Sequence, residues 1–424
     1  MKSKLLSNSF IFVIGDIINK GIPFLMLPIL TRYLTPEDYG IVSIFTVIIA
    51  VLSVFTGLNV HGAININFFK MDKRELKNYI GNVYIILAIS SLIVLIILSI
   101  FSNIIINNIE LSINWVYMAL LVSFFQFTTN INLLLWVAEQ KSKQYIIYQI
   151  MQTILITTLS LIFIIKFNMK WEGQILATTI GILTFSMISF IFIIKRGYFY
   201  FKLNFNYIKD ALYFGIPLIP HTLSGWIKTG SDRILLVSMV GASATGIYSV
   251  GYQIGYVIGV VVLALNKVWT PYLFKILSDN PSLKDKERIV KFTYIYFIFI
   301  ILFAILFSYI AQNMVYYFLD EKFIESIQYI KYFALAFAFQ GMYFMVTNYI
   351  FYVKKTYILS YITFSTAVIH VILLYVLINI NGTIGAAQAT LISFVITFFA
   401  TWYLSNKVYS MPWNNNLTKR NNKL

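Results

Sequence analysis

The chain has 424 residues, 59% of them hydrophobic and only 11% charged, and carries a formal net charge of +16. This composition excludes a soluble globular domain, and the absence of cysteine excludes disulfides, thiolate nucleophiles and Cys-based metal sites. Three widely spaced histidines offer no zinc site, so no metal is expected.

Apolar stretches of about 20 residues, each long enough to cross a bilayer core, recur from end to end. A barrel would need short alternating segments, and 294–310 shows no alternation, so the fold class is an all-α integral membrane protein. In chain order the spans fall near 8–30, 40–62, 79–101, 114–137, 145–166 and 173–194, then 211–239, 247–268, 291–312, 328–350, 357–378 and 384–405. That makes about 12 transmembrane helices in two halves. The first follows Lys2 and Lys4, contains Asp16 and Lys20, and lacks a small-residue cleavage site, so it reads as a retained span rather than a signal peptide.

Most of the 32 basic residues fall in alternate loops, among them Lys70, Lys73, Arg74 and Lys77, then Lys195, Arg196, Lys202 and Lys209, then Lys284, Lys286 and Arg288. The opposite loops hold only Arg32, Lys166, Lys170, Lys322 and Lys331, which predicts both termini in the cytoplasm. Because the positive charge lies in loops between spans, topology explains it and no nucleic-acid partner is expected. The expected organisation is an N-terminal six-helix lobe at 1–194, a cytoplasmic linker at 195–210, a C-terminal six-helix lobe at 211–405 and a basic tail at 406–424. A faint parallel repeat supports the two lobes. Gly40-Ile41 with Ser43 returns as Gly246-Ile247 with Ser249, each opening the second span of its half. Gly21-Ile22-Pro23 and Gly215-Ile216-Pro217 look similar but sit at different distances from those glycines, and are discounted.

Ionisable residues inside a span cost about 2.5–3.5 kcal/mol to insert, so they are expected to face an interior or a wet cavity. Asp16 and Lys20 lie four apart in the first span, as do Lys228 and Asp232 in the seventh, with Arg233 beside them. Each pair reads either as functional charge on a cavity wall or as a salt bridge that lowers its own insertion cost. Adjacent Asp232 and Arg233 point about 100° apart on a helix and are not expected to pair with each other. Lys20, Lys228 and Arg233 are candidate binding cations for phosphate oxygens, with Asn59 as a polar partner. Asp16, Asp232, His61 and His370 are candidates for ion coupling or charge balance. The intraspan Asn, Gln and Thr residues, among them Asn132, Thr153 and Asn348, serve helix packing or sugar hydroxyls, with packing the commoner use. Pro217, Pro220 and Gly225 make the seventh span the one expected to bend. No catalytic residue is assigned, and no Gly-x-x-x-x-Gly-Lys-Ser/Thr loop is present for nucleotide.

The segment Pro28-Ile29-Leu30-Thr31-Arg32-Tyr33-Leu34-Thr35-Pro36-Glu37-Asp38-Tyr39-Gly40 resembles the first-hairpin signature of the polysaccharide-biosynthesis flippases. These are the O-antigen (Wzx-type) members of the multidrug/oligosaccharidyl-lipid/polysaccharide (MOP) exporter superfamily. Phe214-Gly215-Ile216-Pro217, Ser231-Asp232-Arg233, Gly246-Ile247-Tyr248-Ser249 and Trp269-Thr270-Pro271 follow in that family's order. The resemblance implies a MATE/MOP-like fold in the bacterial inner membrane, with two lobes around a central cavity and alternating access. It also implies an undecaprenyl-pyrophosphate-linked oligosaccharide (O-antigen or capsule repeat unit) as cargo, and transport rather than enzymatic activity. Membrane lipid, a polysaccharide polymerase and chain-length-regulator proteins are the implied partners, with no cofactor and with coupling to a proton or sodium gradient left open. The alternatives are a cation-coupled exporter of small amphiphiles and, behind it, a membrane polymerase or ligase. The second lacks support in the exterior loop at 102–113, whose only ionisable residue is Glu110.

Overall fold

The structure, a computed structural model, describes residues 2–104, 111–355 and 357–413; the side chains of residues 1–14 and of Asp16 lie outside that description, as does Glu110. The described residues form helices and no strand, the one open-ended element that satisfies every backbone polar group in hydrocarbon. In order they are α1 Lys2–Tyr33, α2 Pro36–Phe55, α3 His61–Asn67, α4 Lys73–Ile100, α5 Ile113–Ala138, α6 Ser142–Leu161 with a π-helical turn Ile162–Lys166, and α7 Lys170–Lys195. Then come α8 Phe205–Gly215, a 3-10 turn Ile216–Leu218, α9 Ile219–Met239, α10 Ala242–Ser278, α11 Leu283–Phe318, a 3-10 helix Glu321–Ser326, α12 Ile327–Tyr352 and α13 Tyr357–Val408.

Among the described residues nine helices are long and apolar enough to cross a membrane. The ninth, α13, breaks at Gly382 (φ 59°, ψ −141°), which separates the two spans expected at 357–378 and 384–405. With Lys228, Asp232 and Arg233 inside 21 residues, α9 is too charged to belong to that set. In the seventh span, where a bend is expected, a 3-10 turn Ile216–Leu218 at Pro217 separates α8 from α9, and Gly225 stays helical.

Local sequence sets several helix starts. Thr35 caps α2 reciprocally with Asp38: the Thr35 Oγ1 accepts from the Asp38 amide at 3.1 Å, and the Asp38 carboxylate accepts from the Thr35 amide at 2.9 Å. Pro36 occupies the first turn, where a missing N–H costs nothing. Ser282 and Asp285 repeat this arrangement at α11. By internal contacts the chain divides into two compact units, Met1–Ser249 and Val250–Leu424, with the boundary inside α10.

In the first unit α2 supplies Ile41, Ile44, Phe45 and Ile48 to a core shared with Val116 and Ala119 of α5, Ile175 of α7 and Val237 of α9. The two repeat-related glycines meet here. A Cβ on Gly40 would lie 2.0 Å from the carbonyl oxygen of Ala242, and one on Gly246 would lie 1.8 Å from that of Pro36. The first turns of α2 and α10 therefore cross backbone to backbone, an approach that only glycine permits. Gly215 and Gly21 share no such equivalence: Gly215 abuts the Leu58 carbonyl oxygen, and Gly21 faces open space.

In the second unit Gly251, Gly255 and Gly259 form a small-residue stripe on α10 against Tyr329, Phe333 and Phe337 of α12. Tyr252 and Tyr256 flank it and pack edge-on to the same phenylalanines. Close helix approach of this kind replaces the hydrophobic drive that is absent between helices in lipid.

Candidate functional site

Two breaks in helical structure build the site in the first unit. Gly57, Leu58 and Asn59 all adopt positive φ (76°, 49° and 58°), ending α2 and redirecting the chain into α3. The Gly57 amide is satisfied by Ser90 Oγ at 2.9 Å. This elbow docks on the α8–α9 break, where the Leu58 carbonyl oxygen would lie 2.3 Å from a Cβ on Gly215. Asn59 Nδ2 donates to Thr222 Oγ1 of α9 at 3.1 Å. The elbow and the first turns of α9 are thus one assembly.

Farther along α9, Lys228, Asp232 and Arg233 are 9%, 0% and 8% exposed. Burial at this level for three ionisable groups requires compensation. Asp232 receives it from the Tyr248 hydroxyl of α10 and from the Arg233 backbone amide at 2.9 Å. Sequence reasoning keeps Asp232 and Arg233 apart, and the structure corrects this. Arg233 Nη1 lies 3.3 Å from Asp232 Oδ1 and donates to the Thr229 carbonyl oxygen at 2.7 Å. The guanidinium curls back along its own helix, and the carboxylate folds toward the following amide. Together these motions close the 100° gap.

Of the other expected residues, Lys20 sits exposed on α1, a helix packed on α6. The expected Asp16–Lys20 pair lies outside the described side chains, because Asp16 is not among them. His61 opens α3 two residues after Asn59, with its ring edge-on to Phe127 at 5.3 Å. Its Nδ1 is buried with no hydrogen-bond partner among the described residues. His370 belongs to the second unit, fully buried, with Nδ1 2.9 Å from Ser393 Oγ across the two segments of α13. Asn59 and His61 thus belong to the elbow and the start of α3 beside Thr222 and Phe127; Lys228, Asp232 and Arg233 lie farther along α9, and His370 has a packing partner in the second unit. Several intraspan polar residues also serve packing. Asn348 donates to Asn266 at 3.1 Å, Asn132 to Ser189 at 3.3 Å, and Thr153 bonds Asn19. No cluster of metal-ligating residues occurs among the described residues.

Sequence reasoning missed Tyr248, which holds Asp232, and Thr222, which holds Asn59. Tyr248 does stand in the repeat motif, two residues after Gly246. Nothing in the sequence marks Thr222.

The fold is that of two groups of solved membrane transporters. The structure titled lipid II flippase MurJ, inward closed conformation, matches with a TM-score of 0.71 at 15% identity over 93% of this chain and 87% of that one. An inward-facing multidrug resistance MATE family transporter of the MOP superfamily matches with a TM-score of 0.70 at 15% identity over 92% and 94%. Residues 5–277 match the family described as polysaccharide biosynthesis protein, and the chain belongs to that family. Relatives include Lsg locus putative protein 1 of Haemophilus influenzae, 26% identical over 87% of this chain and 90% of its own length. Capsular polysaccharide biosynthesis protein CapF of Staphylococcus aureus is 26% identical over 68% of this chain and 70% of its own length. This is a multi-pass membrane protein of the polysaccharide biosynthesis protein family.

Proposed function

We propose that this protein flips a lipid-linked oligosaccharide, carried on undecaprenyl pyrophosphate, from the cytoplasmic to the outer leaflet of the bacterial inner membrane by alternating access of two lobes. The observation that carries the reading is the buried group Lys228, Asp232, Arg233 on α9 in a chain of the polysaccharide biosynthesis family. Two cations against one carboxylate leave the group net positive, the sign a pyrophosphate requires. Asp232 acts as a positioning group: with Tyr248 it fixes the direction of the Arg233 side chain. Lys20 would add charge from α1, and Asn59 a polar contact for sugar. Asp16, His61 and His370 are the groups through which a proton or sodium gradient would couple. The delivered repeat unit would pass to a polysaccharide polymerase and its chain-length regulator.

The fold is equally like that of drug exporters, which keeps a second reading in play: a cation-coupled exporter of small amphiphiles. The positive balance on α9 favours an anionic cargo over it. Complementation separates the two. In a strain lacking its repeat-unit flippase and supplied with a compatible donor pathway, the chain restores surface polysaccharide, and Lys228→Ala at matched membrane abundance restores far less. A well-inserted wild-type chain that fails to restore polysaccharide but lowers drug sensitivity overturns the proposal.

A further inference from the structure

The second unit contains a cavity of about 560 Å³ between α10, α11 and α12, apart from every residue assigned above. This volume lies within the range of roughly 300–1,000 Å³ typical of ligand sites. Its α10 wall is Leu265, Val268, Tyr272 and Ile276, and its α11 wall includes Phe292 and Tyr296. The α10 positions recur at helical spacing over eleven residues, a groove about 16 Å long at ~1.5 Å per residue. Val268 and Tyr272 are 60% and 58% exposed, so the groove is open along its α10 wall.

The groove is polar at one end and apolar along its length. At the helix ends, next to the turn that joins α10 to α11, Asp285 and Arg288 line the mouth. The Arg288 guanidinium is 82% exposed and 3.9 Å from Asp285, a loose contact that leaves it available to an anion. The hairpin around it carries Lys275, Lys284, Lys286 and Lys291 as well, more positive charge than its acids cancel. By the positive-inside expectation this end faces the cytoplasmic leaflet. Asn266 lines the groove deeper in and is engaged within the protein, accepting from Thr270 Oγ1 and Asn348 Nδ2 at 3.1 Å each. A cationic mouth at headgroup level leading into an aromatic and aliphatic groove has the polarity profile of one phospholipid molecule.

We infer that this groove is a binding site for an anionic glycerophospholipid of the cytoplasmic leaflet, with the phosphate at Arg288 and one acyl chain along Val268, Tyr272 and Phe292. The inference does not rest on the flippase reading, because it concerns binding of bulk lipid and not translocation of cargo. Trp269 provides the reporter: it lines the groove and its indole stacks on Phe292 at 4.8 Å.

The full-length protein is reconstituted in phosphatidylcholine nanodiscs containing a minor fraction of phosphatidylglycerol brominated in mid-chain. The fluorescence quenching due to Trp269 is the difference between wild type and Trp269→Phe. The expected result is quenching about fivefold more effective per bromolipid than with brominated phosphatidylcholine, the preference one cation near an anionic surface confers. Arg288→Ala abolishes that preference and Arg288→Lys keeps it. Both substitutions sit on an exposed side chain and leave the fold intact, checked by a monodisperse elution profile. Equal quenching by the two bromolipids, or a preference unchanged in Arg288→Ala, overturns the site. Displacement of the bromolipid by polyprenyl phosphate at equal mole fraction overturns the assignment to a glycerophospholipid.

Discussion

Two arginine–carboxylate pairs in the first unit look alike in composition and differ in what they connect. Arg196, which caps α7, reaches Glu139 at the end of α5 at 3.1 Å, bonds Asn132 within α5 and lies over the Trp136 ring at 5.2 Å. Lys141 joins Glu139 at 2.8 Å. Its Nε also donates to the Phe192 carbonyl oxygen of its own helix at 3.2 Å, but the carboxylate, amide and indole come from the α5 side, so the pair is a clamp between helix ends. Arg233 and Asp232 are sequence neighbours on α9, so their mutual contact lies within one helix, and the Tyr248 hydroxyl reaches Asp232 from α10. The first pair joins helix ends, whereas the second holds charge buried along α9 itself.

Neutralisation variants break this comparison most sharply. Removing one partner of a buried pair costs about 3–5 kcal/mol, because it leaves an uncompensated charge. Arg233→Gln and Asp232→Asn singly should therefore lower the folded fraction, read by detergent elution profile, and the double variant should recover much of it. The double variant should still fail to restore surface polysaccharide. Glu139→Gln combined with Arg196→Gln should behave oppositely, keeping polysaccharide once the protein is folded. Recovery of both properties by the α9 double variant would make its charges structural.

Next in size is the crossing of α2 and α10. Gly246→Val and Gly40→Val place carbon against backbone carbonyl oxygens, which cannot rotate aside, and overpacking typically costs about 1–3 kcal/mol. A lower melting temperature is expected for both. Gly21→Ala, where a Cβ meets nothing within 4 Å, should melt like wild type.

A smaller effect follows from pH. Burial pushes the Glu139 carboxyl up, but bonds from Lys141 and Tyr198 and the nearby Arg196 charge outweigh it and hold the carboxyl below its ordinary value of 4.5. A carboxyl depressed in the folded state contributes stability that is present above 4.5 and disappears as pH falls through the lower folded value. The melting temperature of wild type should fall more steeply than that of Glu139→Gln as acid is added below that point. Smallest is Asn59→Ala, which removes one partly exposed hydrogen bond to Thr222 and should cost about 0.5–1.5 kcal/mol, read as a modest drop in melting temperature.

The periodic signals were readable in the sequence. Long apolar runs locate most of the helices, though the span expected at 40–62 crosses the elbow at 57–59 into α3 and that expected at 247–268 stops ten residues short of the end of α10, and Thr35-Pro36-Glu37-Asp38 marks the start of α2 by its capping chemistry. The break at Gly382 also agrees with two separate spans. The resemblance on Pro28 to Gly40 and on Gly246 to Ser249 leads to the right family. What sequence patterns do not carry is side-chain direction. Helical spacing separates Asp232 from Arg233, and the actual contact depends on both side chains bending along the helix. Arg196 reads as one more loop cation and nothing in the sequence pairs it with Trp136, yet Trp136 is 5% exposed and lies under the guanidinium. The elbow at 57–59 escapes notice because only Gly57 announces a positive φ, and Leu58 and Asn59 follow it through tertiary packing.

The most direct test is reconstitution of the purified protein in liposomes loaded with a pyrophosphate-linked oligosaccharide lipid, following the rate at which the sugar moves to the opposite leaflet. Wild type should move it, and Asp232→Asn with Arg233→Gln, folded and equally incorporated, should move it no faster than empty liposomes. Equal rates for the wild-type and double-variant proteins would contradict the claim that the buried charge of α9 handles the cargo.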